Sequence, residues 1–509
     1  MYSVIHTVIN YGIKAVPVHV EADVSEGMPC FEMVGFLASE VREAKERVQT
    51  ALRNSGFRMA ARRITINLTP ADIRKSGNGC DLPVAASLLS AFGYIDDRIL
   101  KRYFLLGEVG LNGDILPVRG VLSAAVLAKD QQFEGIIVPY KNAREAAILP
   151  EIKVLPVKTI CDFVKICQNQ LPQEYFYINT ADIWATAYPL DFSDIRGQHM
   201  AKRACEIAVA GMHNLLMIGP PGSGKTMIAK RIPTILPELS RQEKLELSQI
   251  YSLCGLLNEE RIIQNERPFR SPHHTTPPRA MAGGGKRPCP GEISLAHRGV
   301  LFLDELPEFK RETLEIMREP LEEKKICISR LDGKFTYPAD FMLVASMNPC
   351  ACGYYPDLTR CCCTPRSIQQ YIGRVSQALL NRIDLCVETA EITYSDMKRD
   401  RSGDCSEVIR RRVEKVHALQ KERFSSHGYQ FNSEMPVEDI YRYCHLDRQS
   451  EEKLSEKYEE YHLTARTYCK LLRTARTIAD MEQSERVKWE HLEEALLFRS
   501  PDQKYWRRY

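Results

Sequence analysis

Eight consecutive residues constrain this chain more than any other stretch: Gly219, Pro220, Pro221, Gly222, Ser223, Gly224, Lys225 and Thr226. An apolar run, "NLLMI", leads into them, and a helix-periodic run, "MIAKRI", leads out. The glycines let backbone N–H groups close around an anion at a helix N-terminus, where the helix dipole favours negative charge. Gly-x-x-x-x-Gly-Lys-Thr between a strand and a helix is the spacing of a phosphate-binding loop. In that frame Lys225 reaches the β- and γ-phosphates of ATP and the Thr226 hydroxyl ligates Mg²⁺. A bare Gly-rich turn would not require all eight positions in this setting. Strand, loop and helix of this kind belong to a parallel sheet, so the region is expected to be α/β.

A phosphate-binding loop needs a carboxylate across from it. "GVLFLDELPEF" provides one: the apolar run Val300 to Leu303 ends in Asp304 and Glu305. A buried strand there puts Asp304 beside Mg²⁺ and leaves Glu305 to polarise the attacking water. A second apolar run, "ADFMLVASMNP", ends at Asn348, whose short amide can hold a water or the γ-phosphate. Arg382 follows a helical run in "ALLNRIDLCVE". It either acts as a finger on a neighbouring subunit's nucleotide or forms a local ion pair with Asp384. Further on, "LTARTYCKLLRTARTIADME" puts Arg466, Arg473 and Arg476 along one helix, with Arg466 and Arg473 on the same face.

A chain of 509 residues is too long for one core, so several domains are expected. Residues 1–168 mix short β-like runs with helical ones, and "LNGD" between "LLGEVG" and "ILPVRG" signals a hairpin. Residues 169–192 have weak periodicity and read as a linker. Residues 193–395 alternate strand and helix. Residues 396–509 are almost wholly helix-periodic, charged and poor in Gly and Pro. The formal net charge of +3 neither demands nor excludes nucleic acid, so any basic surface must be local. There is no apolar run of about 18 residues for a membrane span and no charged-then-apolar leader at the N-terminus. The 17 scattered cysteines then fit a reducing, cytoplasmic setting, with thiols free or on metal.

Five of those cysteines fall between Cys350 and Cys363. Two Cys-x-Cys pairs, Cys350/Cys352 and Cys361/Cys363, offer four thiolates, the number tetrahedral Zn²⁺ takes. Cys362 is left over. Free buried thiols are the alternative, and a disulfide knot fits a cytosolic chain poorly. Two stretches carry local basic charge. "KKICISRLDGKFTYPADF" reads as a β-hairpin around Asp332-Gly333, with Arg330 and Lys334 flanking the tip and able to meet phosphates. "PFRSPHHTTPPRAMAGGGKRPCPGE" holds Arg270, Arg279, Lys286 and Arg287 among Gly and Pro and reads as a mobile loop. Its His273-His274 pair lacks a completing ligand set and is expected to pack or hydrogen-bond.

In this order, a phosphate loop, an Asp-Glu strand, an Asn strand, a late arginine and a helical tail resemble an AAA+ ATPase. The long stretch "RPFRSPHHTTPPRAMAGGGKRPCPGEISLAHRGVLFLDELPEF" is similar to the magnesium-chelatase-like branch, the YifB/ComM family. "ITINLTPADIRKSGNGCDLPVAASLL" and "LGEVGLNGDILPVRGVLSAAVLAK" resemble that family's N-terminal domain. The implied architecture is an α/β multidomain chain: a Lon-protease-like α+β N-terminal domain, an AAA+ P-loop parallel-sheet core and a C-terminal helical lid. The resemblance implies that Asn348 is sensor 1, Arg382 the trans arginine finger and Arg466 sensor 2. It implies a homo-oligomeric ring, typically a hexamer, and a branch-migration helicase acting on branched or single-stranded DNA. A chelatase-type or chaperone-like motor that remodels a protein partner is the alternative. In helicases of this branch a pore hairpin precedes the sensor 1 strand, where Arg330 and Lys334 stand. Lon-type catalysis needs a Ser and a Lys. At the matching places this chain has Gly79, in "GNGCD", and Leu122, in "RGVLS", so peptidase activity is not expected. Cys80 is the one substitute nucleophile nearby and is expected to be structural.

Overall fold

Alternating burial along the strands, broken where Val8 is buried as well, builds the first sheet. Strand β1 (Tyr2–Tyr11) buries Ser3, Ile5, Thr7 and Ile9, and β2 (Lys14–Ser25) buries Val18, Val20, Ala22 and Val24. They form an antiparallel hairpin, from Tyr2 opposite Asp23 to Tyr11 opposite Lys14, with Gly12 at φ +65° in the turn. With β3 (Cys30–Val34) and β4 (Arg63–Thr69) the sheet order is β1-β2-β4-β3. Its apolar face is covered by helix Asp81–Ala91, ten of whose eleven residues are buried. The computed structural model describes residues 1–509 apart from 179–183, 185, 187, 259, 286–287, 331–332, 393, 395–402 and 507–509. Leu331 and Asp332 of the hairpin tip, Lys286 and Arg287, part of the 169–192 linker and the boundary at 395 lie outside the described residues.

A second, parallel sheet of the front region joins β5 (Tyr103–Leu105), β8 (Gly135–Pro139) and β9 (Lys153–Val157) in the order β5-β8-β9. Between β5 and β8, the "LNGD" signal closes the short hairpin of β6 (Glu108–Val109) and β7 (Ile115–Leu116). Helix Val121–Asp130 packs on β8.

The second half is built around a five-stranded parallel sheet. Its strands are β10 (Leu215–Ile218), β11 (Phe269–Arg270), β14 (Val300–Leu303), β17 (Met342–Met347) and β18 (Leu385–Glu388), in the order β11-β14-β17-β10-β18. Every residue of β10, β14 and β17 is buried. That is why these strands read as continuous apolar runs: both faces of a parallel sheet are covered. At roughly 1.5–3 kcal/mol per buried aliphatic side chain, such a sheet outweighs any single polar contact around it. Two antiparallel hairpins stand outside it: β12 (Gly283–Gly284) with β13 (Cys289–Pro290), and β15 (Lys325–Arg330) with β16 (Gly333–Pro338).

After residue 402 the described chain has helices and no strand. Helices Ser406–Arg423 and Ala465–Met481 pack against His199–Gly211, which leads into β10. The halves touch at the β15–β16 hairpin. Tyr11 lies 4.6 Å, ring to ring, from Phe335, and Gly333 (φ +141°) sits under the Tyr11 hydroxyl, where a Cβ would collide. No helix of the described residues is long and apolar enough to cross a membrane.

Candidate nucleotide site and its surroundings

The P-loop connects buried β10 to helix Lys225–Ile235, and Gly222 (φ +77°) and Gly224 (φ +84°) occupy the left-handed region that lets the chain turn back on itself. Gly219 presses so closely on Thr389 that no side chain would fit there. Ser223 Oγ meets Thr389 Oγ1 at 2.8 Å. The Lys225 ammonium is folded into its own loop, donating to the carbonyls of Gly219 (2.7 Å) and Pro220 (2.8 Å) and to Asn348 Oδ1 (3.2 Å). Burial lowers its pKa to about 8, with Asp304 opposing the shift. Pro221 borders the loop on its outer side, against Gly353.

Across the cleft, Asp304 directly follows β14. Its Oδ2 accepts from Thr226 Oγ1 at 2.8 Å, and its Oδ1 accepts from the Ser346 hydroxyl and from the Glu305 N–H (3.0 Å). Hydroxyl and carboxylate oxygens converging at this distance suit a hard cation such as Mg²⁺. Glu305 stands at φ +53° with its carboxylate exposed. Its Oε2 lies 3.4 Å from His274 Nδ1, and the His273 and His274 rings are 4.0 Å apart. The fold therefore brings Lys225, Thr226, Asp304 and Asn348 into direct contact. It adds Ser346 and His274, neither of which the sequence was read to include. Ser346 stands two residues before Asn348 on the same strand face, and that alternation is the signal that could have found it.

Arg382 is elsewhere. Its side chain is only 8% exposed; Nη1 donates to Ala378 O at 2.6 Å and Nη2 to Glu322 Oε1 at 2.5 Å. The alternative partner, Asp384, is taken by Lys470 Nζ at 2.9 Å and accepts from the Asn214 N–H at 3.0 Å. Lys470 and the nearby His213 hold the Asp384 carboxyl far below the ordinary range against its burial. Arg466 also donates to Glu322 Oε1, at 3.3 Å. The three arginines of helix Ala465–Met481 have different surroundings. Arg476 is buried on Asp480, Arg473 turns to the Met435 carbonyl, and Arg466 is exposed.

The thiols of Cys350, Cys352, Cys361 and Cys363 lie within 4.8 Å of one another. Cys350 to Cys352 is 3.3 Å, Cys350 to Cys361 3.7 Å and Cys352 to Cys361 3.6 Å. Thiolates 2.3 Å from a tetrahedral centre would be about 3.8 Å apart, so the set fits Zn²⁺. Cys362, the one left over, is exposed. A Cβ on Gly353 would stand 2.5 Å from Pro221 Cδ, so this loop rests on the P-loop itself.

In the front region, Gly79 and Cys80 line a cleft of about 720 Å³ between the first sheet and the β15–β16 hairpin. Burial pushes the Cys80 thiol up to about 12, far from a reactive thiolate. Leu122 is buried beside Ile148, Ile262 and Ile263. Arg330 and Lys334 are exposed on either side of the hairpin end. The Arg270 stretch departs from the loop expected of it. It contains helix Pro278–Ala282 and the β12–β13 ladder, and Arg270 is spent on a bidentate pair with Glu292 (2.6 and 2.7 Å). Consecutive prolines at the helix start and glycines packed too tightly for side chains account for a composition that reads as loop.

A P-loop strand next to an Asn strand, with an Asp-Glu strand beyond it and a helical domain behind, defines a P-loop ATPase of the AAA+ class. Family models for "Magnesium chelatase, subunit ChlI" match residues 191–397, "Subunit ChlI of Mg-chelatase" residues 20–142, and "Magnesium chelatase, subunit ChlI C-terminal" residues 403–499. The YifB protein of Salmonella typhimurium is 39% identical over 507 residues, covering 98% of this chain and 97% of the relative. The competence protein ComM of Haemophilus influenzae is 38% identical over 505 residues, again covering 98% and 97%. A weaker, partial likeness is to the Lon protease of Trichlorobacter lovleyi, 21% over 166 residues, 30% of this chain and 20% of the protease. The chain belongs to the YifB/ComM family of magnesium-chelatase-like AAA+ ATPases.

Proposed function

We propose that this protein is a ring-forming motor that couples ATP hydrolysis to movement along DNA, in a cytoplasmic setting. In this reading Lys225 and the P-loop amides hold the phosphates, and Thr226 and Asp304 hold Mg²⁺. Glu305 activates the attacking water, Asn348 senses the γ-phosphate, Arg466 serves as sensor 2, and Arg382 completes a neighbour's site in a hexamer. The observation that carries the DNA part is the β15–β16 hairpin. It presents exposed Arg330 and Lys334 and runs directly into β17, the strand that leads to Asn348. Guanidinium and ammonium groups at a tip bind phosphates without regard to sequence, as a translocating motor requires. A relative named as a competence protein is in keeping with such a substrate. The four cysteines are proposed as a structural zinc clip.

ATPase rate with and without forked or four-way DNA tests this, alongside a sizing measurement with ATP. DNA should accelerate turnover, and Arg330→Ala should lose that acceleration while keeping the basal rate. Turnover indifferent to DNA and stimulated by a protein partner would replace the helicase reading with the remodelling one.

A further inference from the structure

Glu322 is the meeting point of three parts of the molecule. It lies in helix Arg318–Glu323, just before β15. One of its oxygens, Oε1, accepts from both Arg382 and Arg466, one from the core and one from the lid. Arg382 is almost buried, and its Nε has no acceptor among the described residues. Glu322 is thus the charge that balances a cation removed from water, and such a cation is costly to leave alone. The same short connection is clamped again next door. Lys324 pairs with Asp340 Oδ1 at 3.1 Å and with Glu434 of the lid. Lys324 precedes β15 and Asp340 follows β16, so their pair ties the two ends of the hairpin into one body.

We propose that Glu322 is a positioning residue that holds Arg382 and Arg466 as one unit and links that unit to the base of the β15–β16 hairpin. The proposal rests on the reading of Arg382 as a trans finger. A γ-phosphate carries more negative charge than a carboxylate and presents oxygens to the same guanidinium fork. When Arg382 Nη2 exchanges Glu322 for a neighbour's phosphate, Glu322 keeps Arg466 alone and its position shifts. Because the hairpin ends are clipped to the adjacent Lys324, that shift reaches Arg330 and Lys334. Glu322 itself touches no nucleotide; it acts through the arginines.

The test uses the full-length protein with Glu322→Ala, Glu322→Gln, Glu322→Asp, Arg382→Ala and the Glu322→Ala/Arg382→Ala double variant. kcat and KM for ATP are measured with and without forked DNA, and assembly is checked by sizing. Glu322→Ala is expected to lower kcat about tenfold, leave KM within about twofold and abolish DNA stimulation, with Glu322→Asp restoring part of both. The double variant should be no slower than Arg382→Ala, since both changes break one unit. Glu322→Gln, which keeps the shape and loses the charge, should repeat the loss and stands in for Glu322→Ala if that variant misassembles. Wild-type kcat and DNA stimulation in Glu322→Gln, or losses that multiply in the double variant, would overturn the proposal. Failure of the underlying readings looks different: full turnover in Arg382→Ala removes the trans finger, and a wild type deaf to DNA removes the helicase. In that last case the ATP-only comparison still decides the positioning role.

Discussion

Glu305 carries its charge on a backbone turned to φ +53°, where a side chain rarely stands, with His274 close beside its carboxylate. Two outcomes follow from that geometry. Glu305→Gln should bind ATP normally and hydrolyse it roughly 10²–10⁴-fold more slowly, as measured by equilibrium nucleotide binding and single-turnover rate. His274→Ala should leave ATP binding unchanged and lower kcat by a smaller factor, because it removes only the group that orients the carboxylate. The P-loop, Asp304 and Glu305 were legible because their chemistry is written in local spacing: eight residues in a row, or two acids at the end of one apolar run. Arg382's partner was not. Glu322 lies 60 residues away, and nothing near Arg382 points to it; the acid beside it, Asp384, is claimed by Lys470 from the lid.

The cysteine loop shows the same division one level up. Its four-thiol pattern could be counted in the sequence, and the fold gathers those four side chains and leaves Cys362 outside. Its address could not be counted: Gly353 against Pro221 is a contact between two loops that only the parallel sheet brings together. Metal analysis of protein purified without chelator should find one zinc per chain, and Cys361→Ser should weaken zinc binding by at least about 100-fold. Because the loop rests on the P-loop, the same variant should also raise KM for ATP. Unchanged KM with zinc gone would separate the clip from the nucleotide site. The strands were legible where they were buried on both faces or alternated cleanly. The β12–β13 ladder was hidden by its Gly and Pro content, since its pairing depends on close backbone approach and not on side-chain pattern.

The two halves of the molecule meet through residues that no periodicity marks. Glu145, from the front region, accepts from Ser252 of helix Arg241–Cys254, from the Leu122 N–H (3.1 Å) and from Asn142 (3.2 Å), with no cation among these partners. Burial raises its pKa above the ordinary 4.5. The folded state therefore holds this proton more tightly than the unfolded chain does. As pH rises above about 4.5, only the unfolded chain ionises, and stability is lost until the folded pKa is passed. Glu145→Gln cannot titrate, so its Tm minus that of the wild type should increase with pH across that window; a flat difference in a thermal-melt series would contradict this. Assembly belongs to the same scale: Arg382→Ala should still form rings by sizing while losing hydrolysis. The seat of Gly333 under Tyr11 has a mechanical meaning. A rod clamped at its base by Lys324 and seated at Gly333 against Tyr11 of the front region is not a free lever. Any travel of that end either breaks the seat or drags the front region with it, so on the proposed reading the work of each ATP would be divided between the strand being pulled and the mass being carried.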